Sequence, residues 1–486
     1  MTIHKGIHLG GRDTIPNTIG KIGFCAIFGK GYDQHGRAFP VALSRIPRLS
    51  IRQGLKQVSL LFIVLFYCIS SYSQSPQLLG KPMIGAVTAN SAKVWFMVKD
   101  VREGELKVGD DVYKFSTNGR KSWSGQVPIT LETNRLPAGQ RVNAQLWANG
   151  KALSDPFFIQ TAAETVQPSW SFMMGSCAFY GVGATRLIKP GQFTDIFDAM
   201  RDHPTDFMIW LGDNVYLLNG EWNDDSRMYE KYTKARLDPH INDFLATRPQ
   251  YAMLDDHDYG PDNAEGDFEN KAATMSCFKD FWPNPYFGNG SGATYTHFDY
   301  QDGSFFLLDD RWFRESDGHK QVLGAEQMGW LQEKLLASKA PFKFIALGSQ
   351  VLSEANQKET WSKFPERQIL FDFIKEKKIT GVVFLSGDRH FTELCKLKQD
   401  GLYPLYDFTS SPLTSPLRKR VNKPKDPEFE TPMRMPGTKF VAHSFGTVTI
   451  SGAEGERVCE LSTWDASGKL VWKYGISQTE LDWIPD

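Results

Sequence analysis

Six short apolar runs, each followed at once by a glycine or a polar residue, most constrain what this chain can fold into. They are Phe172–Met174, Phe207–Leu211, Tyr251–Leu254, Phe305–Leu308, Phe342–Leu347 and Val382–Leu385. Runs this short and this apolar read as strands buried on both faces. Segments with helical spacing lie between them: Gln192–Met200, Glu326–Ser338 and Glu366–Lys377. Alternation of strands and helices implies an α/β sandwich, with helices flanking buried sheets. Two later segments, Thr447–Ile450 and Val458–Leu461, read as alternating, half-exposed strands.

The region before Trp170 has a different character. Ser91–Val98, Val112–Phe115, Val127–Thr130 and Val142–Trp147 are short strand-like runs, with turn signals at Asn118-Gly119 and Asn149-Gly150. No helical period connects them, so a small all-β, immunoglobulin- or fibronectin-like sandwich is expected. At 486 residues the chain is long enough for two to three domains. The expected division is 1–73 as an extension with a signal segment, 74–163 as the β-sandwich and 164–486 as a catalytic domain.

The chain is 41% hydrophobic and 23% charged, which excludes wholesale disorder. Its net charge of −1 argues against a protein that coats a polyanion, so no specific nucleic-acid binding is expected.

One segment carries an export layout. Val58–Ile69 is strongly apolar, with Arg45, Arg48, Arg52 and Lys56 upstream and Ser71-Tyr72-Ser73 downstream. The apolar run falls short of the roughly 20 residues that span a bilayer as a helix. It reads as a secretory signal over about residues 50–73, cleaved before Gln74. A short membrane anchor is the alternative, and no Arg-Arg pair precedes the run to support twin-arginine export. No Met lies between Met1 and Met83, so translation is expected to start at a non-Met codon near residue 50. Cleavage would leave no membrane span and four cysteines, Cys177, Cys277, Cys395 and Cys459, without a C-x-x-C pair. One disulfide among them stays open.

Five strand ends deliver polar groups, and α/β folds gather ligand sites at such ends. They are Gly175-Ser176-Cys177, Gly212-Asp213 with Tyr216, Asp255-Asp256-His257-Asp258 with Asp262-Asn263, Asp309-Asp310-Arg311 with Arg314, and Gly387-Asp388-Arg389-His390. Carboxylate and phenolate oxygens with imidazole nitrogen are metal ligands. The carboxylates after Leu254 would repel one another if ionised and close, and cations relieve that repulsion. Asp213 and Tyr216, three apart, share a face if their turn opens a helix. Asp388 and His390, two apart, point the same way in an extended segment. No G-x-S-x-G elbow, Walker A loop or H-E-x-x-H motif is present.

Together these five motifs resemble the PhoD-like alkaline phosphatases, a branch of the calcineurin-like metallophosphoesterases. The resemblance covers about residues 80–480 and implies a centre of Fe3+ with Ca2+. It implies Cys177, Asp213, Tyr216 and His390 on the iron side. Asp213 would bridge, with Asp256, Asn263 and Asp388 on the calcium side. Leu254 stands where the family commonly has Trp, and Asp258 where Glu is common. The expected activity is hydrolysis of phosphate monoesters by a secreted enzyme. A phosphodiesterase of the same fold and a non-enzymatic surface-binding protein with a decayed site are the alternatives. Arg311 or Arg314 would hold phosphoryl oxygens, or only make ion pairs. His257 would protonate the leaving alkoxide, or only orient a ligand carboxylate. The oligomeric state is left open.

Overall fold

The computed structural model describes residues 75–179, 194–355, 360–418 and 426–483. The signal segment, and most of the basic loop that begins at Arg418, lie outside the described residues.

Eight strands come first. They are β1 (Gln77–Val87), β2 (Ala92–Lys99), β3 (Glu103–Val108), β4 (Asp111–Ser116), β5 (Gln126–Thr133), β6 (Arg141–Ala148), β7 (Lys151–Ala152) and β8 (Phe157–Gln160). β1-β2-β5 form one antiparallel sheet; β4-β3-β6-β7, with β8 on β6, form a second. Val94, Phe96, Leu106, Leu146 and Ile159 are buried together in their shared core. This all-β part is tied to the rest of the fold. Lys93 Nζ donates to Asn284 O at 3.0 Å and Pro285 O at 2.7 Å, and Trp95 Nε1 donates to Asp280 O at 2.8 Å.

The remaining strands are β9 (Ser169–Gly175), β10 (Phe207–Leu211), β11 (Gln250–Met253), β12 (Thr296–Tyr300), β13 (Gly303–Leu307), β14 (Phe342–Leu347), β15 (Val382–Ser386), β16 (Glu393–Gln399), β17 (Leu402–Thr409), β18 (Ser444–Ser451), β19 (Val458–Asp465) and β20 (Leu470–Ser477). They make two six-stranded sheets, ordered β11-β10-β9-β18-β19-β20 and β12-β13-β14-β15-β17-β16. β9, β10 and β11 run parallel in the first, and β13, β14, β15 and β17 in the second. β10, β14 and β15 are buried at every residue, which is why their sequences are apolar without alternation. Phe172, Phe207, Phe305 and Phe344 join the sheets through ring contacts of 5.1 to 5.3 Å.

Seven α-helices lie among the described residues: α1 (Ile196–Asp202), α2 (Asp225–Leu237), α3 (Pro239–Leu245), α4 (Asp256–Tyr259), α5 (Lys271–Phe281), α6 (Gly324–Ala337) and α7 (Glu366–Glu376). α6 and α7 match the sequence expectation closely. The helical stretch expected to end at Met200 instead runs to Asp202. One strand expectation is corrected. β18 is buried at six of its eight positions rather than half-exposed, because it lies inside the sheet between β9 and β19. The four cysteines are buried and free. Among the described residues no helix is long and apolar enough to cross a membrane.

Candidate metal centre

The parallel strands of both sheets end on one side, and their C-terminal loops interlock there. Cys177 N–H donates to Gly212 O at 3.3 Å and Ala178 N–H to Asp213 O at 2.9 Å, which joins the loops after β9 and β10. Gly387, after β15, closes the contact. A Cβ there would meet Leu211 O at 2.4 Å and Ser176 Cβ at 2.7 Å, so only glycine lets the three strand ends converge.

Backbone conformation then shapes the turns that carry the candidate ligands. Cys177, Asp213, Asn263, Asp388 and His390 all have positive φ, between 53° and 62°. A non-glycine residue rarely adopts this conformation, and it concentrates where function requires a side chain aimed against local preference. It also corrects two local readings. Asp213 and Tyr216 do not begin a helix, and Asp388 and His390 are not extended. Left-handed turns bring them together instead.

Two clusters result. Ligand atoms of Cys177, Asp213 and His390 lie within 4.8 Å of one another, and so do those of Asp213, Asp256 and His257. Asp213 belongs to both. Tyr216 OH joins the first, donating to Asp213 Oδ2 at 2.9 Å and lying 3.3 Å from His390 Nε2. His390 Nδ1–H donates to Pro416 O at 2.7 Å, which fixes the tautomer and leaves Nε2 facing the cluster. Burial, then the nearby Arg418 charge, lowers the His390 pKa to about 4, so the imidazole is neutral and able to ligate.

α4 carries the second cluster. Asp255 caps its first turn, and Asp258 completes a capping box. Asp258 is fully engaged. It accepts Asn214 N–H at 3.1 Å, Val215 N–H at 3.2 Å, Tyr232 OH at 3.1 Å and Asp255 N–H at 3.2 Å. Burial still raises its pKa to about 7 despite these donors. Burial opposes ionisation of Asp256 too, but His257, Arg311 and the Asn263 N–H outweigh it and hold this carboxyl at about 2.

The structure separates the other expected site residues. Asn263 N–H donates to Asp256 Oδ2 at 2.7 Å, while its exposed side-chain amide donates to Asp262. Asp388 is buried near Cys177 and Asp213 and raises the pKa of both. His257 packs its ring on Tyr216, 4.2 Å between centroids, and stands among the potential ligands rather than apart from them. Arg311 is 0% exposed and binds Asp255 through Nε at 2.6 Å, with Asp310 at 3.5 Å. Of its two expected roles, the ion pair is the one seen. Arg314, 3% exposed, lies over the Phe364 ring at 4.7 Å, with Ser349 Oγ at 3.5 Å and Glu265 at 4.0 Å.

These residues fit metal ions. Asp256 Oδ1 and His257 Nδ1 are buried without a hydrogen-bond partner, a costly state unless something charged binds them, and Asp388 Oδ2 has only Arg389 at an ion-pair distance of 3.5 Å. Burial, then Asp256, Asp258 and Asp388, pushes the Asp213 carboxyl well up; burial, then Asp213 and Asp388, does the same to the Cys177 thiol. A bound cation reverses that logic. Adding metal to chelator-stripped protein should therefore raise its melting temperature, with stability gaining about 4 kcal/mol at a thousandfold excess over Kd. Scanning calorimetry with and without metal checks this.

Sequence reasoning missed Ser411 and Ser415. Ser411 Oγ donates to Cys177 Sγ at 3.2 Å and accepts His390 N–H at 2.9 Å; Ser415 Oγ donates to Tyr216 OH at 2.8 Å. They follow the end of β17, so the strand-end rule applied to Thr409-Ser410-Ser411 would have found the first.

Two stacked mixed sheets with ligand-bearing loops at one end define a metallophosphoesterase fold. The chain belongs to the PhoD-like phosphatase family, whose profile matches residues 172–461. It is 25% identical over 293 residues to alkaline phosphatase D of Bacillus subtilis (strain 168), covering 48% of each chain. The match thus spans about half the length of that curated relative. Two solved structures share the fold. A structure of PhoD superposes with a TM-score of 0.66 at 17% identity, over 84% of this chain and 91% of that one. Purple acid phosphatase PPD1 from yellow lupin seeds (Lupinus luteus) gives 0.57 at 14%, over 82% and 74%.

Proposed function

We propose that this chain is an exported, metal-dependent phosphatase that hydrolyses phosphate monoesters. The observation that carries this reading is the pair of ligand clusters sharing Asp213. Cys177, Tyr216 and His390 would hold Fe3+ with Asp213. Asp256, Asn263 and Asp388 would hold Ca2+ with the same Asp213. Thiolate and phenolate favour the more highly charged ion, and carboxylate or amide oxygens suit calcium. When bound, the ions supply the Lewis-acid charge that polarises a phosphoryl group and activates water.

The protein's own groups do the rest. His257 Nε2 lies on the side of the exposed Asp262, 3.8 Å from Oδ1, and is assigned as proton donor to the leaving alkoxide. Arg311 positions Asp255 and, through it, the ligand-bearing turn of α4. Residues 74–163 would form a β-sandwich module, 164–486 the catalytic domain, and 50–73 the export signal.

The test is hydrolysis of a chromogenic phosphate monoester beside its diester by the purified, metal-loaded chain. Faster monoester turnover supports the proposal. A preference for the diester would move the assignment to phosphodiesterase. No hydrolysis of either by metal-loaded protein would overturn both.

A further inference from the structure

The loop after β17 is fastened to the metal centre at three points. Ser411 holds Cys177 and His390, Ser415 holds Tyr216, and Pro416 O holds His390 Nδ1. Ser411 and Ser415 are fully buried, whereas Pro416 and Leu417 are exposed, so the chain passes from ligand shell to solvent within two residues. Arg418 comes next.

Arg418 keeps an open tip. Its side chain is 40% exposed, and its guanidinium lies 3.8 Å from Glu428, an ion-pair distance longer than a hydrogen bond. Glu428 is itself held near the centre, because Arg389, between Asp388 and His390, donates to its backbone oxygen at 3.0 Å. Pro416 O, two residues before Arg418, accepts His390 Nδ1–H at 2.7 Å, which anchors this end of the loop beside the ligand shell. The arginines singled out in sequence are not available in this way, since Arg311 and Arg314 are buried against their own partners. A basic residue on a loop is ordinarily just solvated. This one stands two residues beyond the carbonyl that orients a metal-ligand histidine.

We propose that Arg418 binds the non-bridging oxygens of the substrate's phosphoryl group at the mouth of the metal centre, oriented by Glu428. The inference rests on the phosphatase reading above. A guanidinium suits the task because its planar fork matches two phosphoryl oxygens at once.

The experiment compares wild type, Arg418→Ala and Arg418→Lys as full, metal-loaded chains. It measures KM for a chromogenic phosphate monoester, the inhibition constant of inorganic phosphate, bound metal and melting temperature. Arg418→Ala should raise KM and the phosphate inhibition constant together, by roughly tenfold to a hundredfold, with metal content and melting temperature unchanged. Arg418→Lys, which keeps the charge but not the fork, should recover part of the loss. An unchanged phosphate inhibition constant in Arg418→Ala would overturn the proposal, as would a loss of metal that accounts for the change. Wild type that hydrolyses no ester removes the phosphatase reading and this inference together. Active wild type with an unaffected Arg418→Ala removes this inference alone.

Discussion

Asp213→Asn should lower ester hydrolysis by roughly a thousandfold or more, because it removes the one carboxylate common to both ligand clusters. The substitution keeps the shape of the side chain. What it changes is charge and hydrogen-bond polarity. Oδ2 of Asp213 accepts the Tyr216 hydroxyl at 2.9 Å and Oδ1 accepts His257 N–H at 3.3 Å. An amide must turn its NH2 toward one of these donors. Stability should move the other way in metal-free protein. Burial and the neighbouring carboxylates raise the Asp213 pKa well above its ordinary 3.8. The unfolded chain therefore gives up this proton first as pH rises. The metal-free fold loses stability above about pH 4, and more until the folded group also ionises. Asn does not titrate, so metal-free Asp213→Asn should melt higher than metal-free wild type at neutral pH. With metal added, the order should reverse. Melting curves of both proteins, stripped and loaded, measure both signs. A variant that gains as much stability from metal as wild type would show that Asp213 does not bridge.

The parts of this centre that were legible in sequence are those built from one strand end. A buried strand needs an apolar run, and its end needs a sharp turn, so Gly212-Asp213 and Gly387-Asp388 stand out locally. The turn geometry was not legible. Spacing suggested a helical face for Asp213 and Tyr216 and an extended segment for Asp388 and His390. The left-handed backbone at Asp213, Asp388 and His390 follows instead from three strand ends packed around Gly387. β18 was misread for a similar reason. Its polar residues imitate a half-exposed strand, while in the sheet Ser444 and Thr447 are buried and only Thr449 and Ser451 stay partly exposed. Groups that meet across long separations left no local signal. Ser411 and Cys177 are 234 residues apart, and Arg311 and Asp255 are 56 apart. In sequence Arg311 stands beside Asp309 and Asp310, and those neighbours hid its principal partner.

That partnership sets the second large prediction. Arg311→Met should destabilise the protein by about 3–5 kcal/mol, the usual effect of leaving one member of a buried ion pair alone. Arg311 and Asp255 are both 0% exposed, so water cannot replace the lost guanidinium. Asp255 also has no room to retreat. A Cβ on Gly348 would lie 2.5 Å from its Cγ, and one on Gly212 would lie 2.6 Å from its Cβ. The carboxylate must therefore protonate in place or force the turn open. Either outcome reaches the second cluster of potential ligands, because Asp255 Oδ1 accepts the Asp256 N–H at 2.9 Å and caps α4. Arg311 also helps hold the Asp256 carboxyl at about 2, so its loss makes this candidate metal ligand easier to protonate. Asp255→Asn offers the control. If the pair is the cause, Arg311→Met should cost clearly less in the Asp255→Asn background than alone, because Asp255 then carries no charge to be stranded and only the more distant Asp310, 3.5 Å from Arg311, keeps one. Chemical denaturation of the four proteins gives the coupling directly, and metal titration of each shows whether binding weakens in step. Additive costs with unchanged metal affinity would mean that Arg311 merely fills space, and that the turn of α4 holds its ligands without it.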